Sequence, residues 1–248
     1  MKTVTFDHIA IAVPGMAAAG AVLAGVLGGV SDYGAPSGAY TFGQWRFQDG
    51  GRIEILEPLG AGGFLHRFLA QRGPGIHHVT FKVPSLPEAR ARAERNGYDV
   101  VGYNDANPQW SEAFLHPRQA LGIVVQFAAS SGGGSGPRHW QPPAGPAHPP
   151  PPVTILGLRL RARSRERARI QWESVCLGRY AEGAGGELIF RWAGSPMRIT
   201  VEIDPAREEG PLCIEIASER AVALPEGPHP VLGAVFARQT LGVVERRA

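Results

Sequence analysis

HIAIAVPGMAAA, residues 8–19, comes back at residues 78–89 as HVTFKVPSLPEA. At an offset of 70, His8 meets His78, Val13 meets Val83, Pro14 meets Pro84, Met16 meets Leu86 and Ala19 meets Ala89. Each copy reads as a six-residue strand stopped by proline, which cannot donate to a β-ladder and suits the entry to a helix. A helix follows in each, MAAAGAVLAGVLGG closed by Gly28 and Gly29, and LPEARARAERNG closed by Gly97. Strand-like runs come next: YTFGQWRF and GRIEILEPL in the first copy, YDVVGY, EAFLHP and GIVVQFA in the second. The unit is βαβββ, present twice.

Further along, ASSGGGSGPRHWQPPAGPAHPPPP at 129–152 is nearly all Gly, Ser, Pro and Ala. Such a stretch is not expected to bury a core of its own and reads as a mixed flexible and polyproline-type linker. It divides the chain into a module over 1–128, the linker over 129–152 and a second module over 153–248. The second module echoes the first: ILGLRLRA parallels FDHIAIAV, and RQTLGVV (238–244) repeats RQALGIV (118–124). The expected class is α+β, with tandem βαβββ units forming cup-shaped sheets in two modules. The C-terminal module is degenerate, its last pair of units shortened.

Composition narrows the function classes. At 44% apolar residues the chain can build ordinary globular cores, and no apolar run reaches the length of a membrane span. The strand pattern of Val4, Phe6, Ile9 and Ile11 leaves no room for a signal peptide. Two cysteines, Cys176 and Cys213, give no disulfide framework and no thiolate metal site, which fits a cytoplasmic location. The net charge of +3 is small, and the basic run RLRARSRERAR at 159–169 is countered by nearby acids, so no nucleic-acid partner is expected.

Alternation along a strand sorts side chains by face. His8, Ala10 and Ala12 share one face, with Ile9, Ile11 and Val13 on the other. The same rule puts His78 inward and His77 outward, as a rim or structural residue. An acid between two isoleucines, Glu54 in RIEIL, needs a partner if buried, and Arg52 is one candidate. Its repeat-mate is Gln126 in VVQFA. Taken singly, each of these residues has an ordinary structural use. Taken in one repeat register, His8, Glu54, His78 and Gln126 form an N2O2 set suited to a divalent first-row metal (Co, Mn, Ni, Zn or Fe), with two positions open.

The stretches FDHIAIAV, RIEILEPL, GPGIHHVTFKV and FLHPRQALGIVVQF resemble the vicinal oxygen chelate superfamily of glyoxalases, bleomycin-resistance proteins and dioxygenases. Within it they are nearest to methylmalonyl-CoA epimerase-like proteins. The likeness covers residues 4–128 and is weak from 153 onward. It implies metal ligation by His8, Glu54, His78 and Gln126. It also implies a departure, because the epimerases and glyoxalases usually carry glutamate where Gln126 stands. An amide can coordinate but cannot take a proton, so Glu54 becomes the candidate base.

The resemblance further implies a small carbonyl or acyl-thioester substrate; a homodimer is one expected assembly, and the C-terminal module substituting for the second subunit of a single-module dimer is the other. The expected chemistry is epimerase- or isomerase-type proton transfer α to a carbonyl, the metal stabilising the enolate. The alternatives are a glyoxalase-type lyase, an Fe(II) ring-cleaving dioxygenase, or a non-catalytic ligand-binding or sequestration protein. Trp45, Phe47 and Trp110 are secondary candidates as pocket walls, with a core reading preferred. His116 reads as turn structure, Arg118 as an anion contact or surface residue, and His139 and His148 as solvated linker residues. In the C-terminal module Gly157 stands where His8 would and Cys213 or a neighbour where His78 would, and Arg159 and Arg161 are expected to pair with acids such as Glu202 rather than to contact an acidic group of the substrate.

Overall fold

The structure is a computed structural model, and it describes residues 3–107, 109–130 and 140–239. The first unit runs β1 (Thr5–Ala12), α1 (Met16–Gly25), β2 (Val30–Ser37), β3 (Tyr40–Arg46) and β4 (Arg52–Pro58). A helix absent from the sequence reading, α2 (Phe64–Arg72), joins it to the second unit of β5 (Gly75–Lys82), α3 (Leu86–Arg95), β6 (Val100–Asn107), β7 (Trp110–Leu115) and β8 (Val124–Ala129). The punctuation behaves as its chemistry requires. Ser85 caps α3 by accepting the Glu88 N–H at 3.3 Å, and Gly28 and Gly97 end the two repeat helices at φ of 73° and 83°.

These strands form one eight-stranded sheet in the order β2-β3-β4-β1-β5-β8-β7-β6. The first strands of the two units lie side by side at its centre, and each is flanked by the fourth strand of its own unit. β5 and β8 pair in parallel, placing Thr80 beside Gln126, and β3 pairs antiparallel with β4, placing Gln44 opposite Glu54.

The C-terminal region begins with β9 (Thr154–Ala162), α4 (Arg165–Arg169), a π-turn over Ile170–Val175, β10 (Arg179–Glu182), β11 (Leu188–Arg191) and β12 (Arg198–Ile203). β13 (Gly210–Ala217) and β14 (Phe236–Arg238) complete it, in a six-stranded sheet ordered β10-β11-β12-β9-β13-β14. This is the order of the larger sheet with its last two strands missing. The parallel pair β13 and β14 corresponds to β5 and β8, so the final unit keeps its first and fourth strands among the described residues. Residues 240–244 of the RQTLGVV echo lie outside the described residues.

By compactness, residues 1–10, 77–137 and 158–212 make up one unit, and residues 11–76, 138–157 and 213–248 another. In the first, Phe6, Phe81 and Trp192 stack at centroid distances of 4.8 to 5.7 Å. Tyr98 and Gln171 bond at 3.4 Å, and the Gln171 amide reaches the Ala120 carbonyl at 3.3 Å. In the second, the described part of the Gly/Pro segment lies against the first module's glycines. From Trp140 to Pro151 it packs as a strap along α1. Trp140 lies over Gly34 and Gly43, in the space their missing side chains leave, and meets Trp45 edge-on at 5.8 Å. A methyl group on Gly20 would stand 3.0 Å from Pro143, and one on Gly28 would collide with Pro150 and Pro151. Arg220 clamps the end of the strap, donating to the Pro151 carbonyl at 2.9 Å and to Val26, at the end of α1, at 2.7 Å.

Candidate metal centre

His8 on β1, Glu54 on β4, His78 on β5 and Gln126 on β8 are all buried, between 1% and 7% exposed. Sheet order makes these four consecutive strands. One ligand atom each from His8, Glu54 and His78 lies within 4.8 Å of the others, a group able to hold a metal ion. Among the described residues no second such group occurs. The rings of His8 and His78 stand 5.9 Å apart at 68°.

Each member is oriented by a neighbour. Asp7 meets Nδ1 of His8 at 2.7 Å; an Nδ1–H donating to that carboxylate leaves Nε2 as the lone-pair atom. Burial pushes His78 well below the usual histidine pKa, and the charges His77 and His8 would carry push it the same way; the hydrogen bond to Gln126 opposes them. A neutral imidazole, the form that ligates metals, is the result. The Gln44 amide donates to Oε2 of Glu54 at 2.8 Å, and Arg52 on the same strand reaches Asp32 at 3.5 Å. Gln44 and Glu54 stand directly opposite each other on β3 and β4 and so share a face.

Gln126 is held at both ends of its amide. Thr80 donates to Oε1 at 2.6 Å, and Nε2 donates to Oε2 of Glu112 at 2.8 Å. Glu112 in turn accepts from the Trp110 indole at 3.0 Å, and Nζ of Lys82 sits 3.6 Å over the Trp110 ring. Asp7, Gln44, Thr80 and Glu112 were absent from the sequence reading. The signal for Glu112 was present, since it alternates with Phe114 on the face that Gln126 occupies.

His77 also departs from expectation. It is half-buried, but its ring turns to bring Nδ1 within 2.9 Å of Nδ1 of His78. The remaining candidates fall to their plainer readings. Trp45 and Phe47 are core, and Nδ1 of His116 accepts the Arg118 N–H in a turn at 3.2 Å. Arg118 and His148 are exposed, and His139 lies outside the described residues. Gly157 and Cys213 occupy the strand positions of His8 and His78 in β9 and β13, and Arg159 pairs with Glu202 at 3.0 Å as expected. Two imidazoles, a carboxylate and an amide oxygen match the donor preferences of divalent first-row metals, and a cation among them compensates the buried carboxylate.

The family model described as "Glyoxalase/Bleomycin resistance protein/Dioxygenase superfamily" matches residues 7–114. A protein of Cereibacter sphaeroides named ethylmalonyl-CoA/methylmalonyl-CoA epimerase is 33% identical over 131 residues, 49% of this chain and 94% of that protein. The chain belongs to the glyoxalase/bleomycin resistance protein/dioxygenase superfamily. A solved structure similar to this superfamily member is methylmalonyl-CoA epimerase from Mycobacterium tuberculosis, at 21% identity over 52% of this chain and 89% of that one, with a TM-score of 0.48. A variant of 4-hydroxymandelate synthase from Streptomyces coelicolor aligns at TM-score 0.60 and 13% identity over 89% of this chain and 72% of that one. That likeness supports the two-module vicinal oxygen chelate fold. No helix among the described residues is long and apolar enough to cross a membrane.

Proposed function

We propose that this chain is a metal-dependent epimerase or isomerase that moves a proton α to the carbonyl of an acyl thioester. The observation that carries the reading is the buried His8–Glu54–His78 group, set within the stretch that matches an epimerase of acyl-CoA substrates by name. His8, Glu54, His78 and Gln126 would hold the divalent metal. A bound metal supplies Lewis acidity to the substrate oxygens. Glu54 then takes the α-proton: the C–H bond breaks, an O–H bond forms on the carboxylate, and the electron pair moves into the enolate; a proton from water on the opposite face would re-form the C–H bond, and Glu54 returns its proton to solvent. Gln44 holds Oε2 of Glu54 during the transfer. The reaction is assigned to residues 1–128, which carry the whole donor set, in a cytoplasmic protein whose Cys176 and Cys213 are both buried.

The test is metal content followed by exchange. About one equivalent of divalent metal per chain is expected in the purified protein, and His8→Ala abolishes it. The metal-loaded protein should wash deuterium from solvent into the α-position of methylmalonyl-CoA or ethylmalonyl-CoA, and Glu54→Gln should stop this. Full exchange by Glu54→Gln removes the base assignment. A second reading, an Fe(II) dioxygenase, is favoured by the two-histidine, one-carboxylate composition of the group. Iron in the purified protein and O2 uptake with an aromatic substrate would select it.

A further inference from the structure

We propose that Glu112 makes Gln126 a carboxylate-backed ligand, so that the amide delivers to the metal much of the negative charge a glutamate would. The inference rests on the metal reading above. Gln126 is buried, and both ends of its amide are specified. A carboxylate accepts only from N–H, so the 2.8 Å bond to Glu112 fixes which end is nitrogen. The Thr80 hydroxyl at 2.6 Å marks the oxygen end, and Thr80 stands directly beside Gln126 on β5, the strand that carries His78.

Charge accepted at the nitrogen end draws electron density from N–H and raises it on Oε1, as chained hydrogen bonds polarise one another. The Glu112 carboxylate is held in turn by the Trp110 indole at 3.0 Å, and the Trp110 ring carries the Lys82 ammonium on its face. Lys82, Trp110, Glu112, Gln126 and Thr80 thus form one polarised row on a single face of β5, β8 and β7. Outer carboxylates that hydrogen-bond a ligand in this way typically account for 10–100-fold in metal affinity. Glu112 is a positioning residue: it acts through Gln126.

The test is Co(II) titration of the metal-free protein, read by calorimetry and by the visible spectrum of the bound ion. Glu112→Gln keeps the side-chain volume and removes the charge, so affinity should fall about 10–100-fold and the spectrum should shift. The unfolding midpoint of the metal-free protein should hold, which a merely structural role for Glu112 would not give. Adding Gln126→Glu to Glu112→Gln keeps the hydrogen bond with donor and acceptor exchanged, and should restore affinity. Wild-type affinity in Glu112→Gln overturns the proposal, and so does a loss that Gln126→Glu fails to restore. A wild-type chain that binds no Co(II) removes the metal reading itself, and this inference with it.

Discussion

Histidine is used in three physical settings here. In His8 a carboxylate beside Nδ1 fixes the tautomer, and in His78 burial holds the ring neutral. His229 is the third: partial burial lowers its pKa, and its Nδ1 accepts the Val231 N–H at 3.2 Å. The sign of its pH effect follows from linkage. Below the ordinary histidine pKa of about 6.5 the unfolded chain binds the proton more readily than the folded one, so the contribution of this turn falls as pH drops. Hydrogen exchange should show the Val231 amide protected at neutral pH and losing protection on acidification. Protection that is unchanged down to about pH 5 would contradict this. At the same scale, Gln126 shows how far a residue type alone can mislead. As a sequence letter it marks a lost base, whereas in place it sits against the carboxylate of Glu112.

Among the elements, α1 and the strap that lies on it are matched glycine to proline. Gly43→Ala should cost about 1–3 kcal/mol in urea unfolding, because the new methyl meets the Trp140 ring and comes within 3.1 Å of Met16 Sδ. In a Trp140→Ala background the same substitution should cost at least about 1 kcal/mol less; equal costs in both backgrounds would deny the contact. This pairing explains what was legible and what was not. The repeat was readable because strand alternation and proline stops are local, and it grouped His8 with Glu54 and His78 with Gln126 as equivalent pairs, which the sheet order sets on four consecutive strands. The strap was not readable. Its Pro/Gly composition has no pattern of its own, and its order comes from gaps at Gly20, Gly34 and Gly43, about a hundred residues upstream. α2 escaped although Phe64, Leu65, Phe68 and Leu69 recur at helical spacing, because the stretch is short, follows a glycine-rich turn and has no counterpart in the other repeat unit. Glu112, by contrast, was visible as an alternating acid but had no repeat-mate to draw attention to it.

Over the whole molecule, the larger sheet sets the two units of the first module about its central strands β1 and β5, and the smaller sheet repeats that order with two strands fewer. The donors follow the same logic, with His8 and His78 from the first strands and Glu54 and Gln126 from the fourth. A chain ended at residue 129 would keep every donor and lose the strap. It should bind metal more weakly and lose most of its cooperative unfolding, because Trp45 and the Gly34–Gly43 slot lose their cover. A cooperative, fully metal-competent fragment would show the strap to be dispensable.

The strap also carries a consequence for the order of events during synthesis. The strands around Gly34 and Gly43 leave the ribosome with their slot open. The indole that fills it is encoded about a hundred residues later, on the order of 5–20 s of translation. Until Trp140 emerges, the nascent chain presents an apolar notch that only a chaperone or a neighbouring chain can cover, so slow decoding across the glycine- and proline-rich stretch would lengthen the interval in which it aggregates.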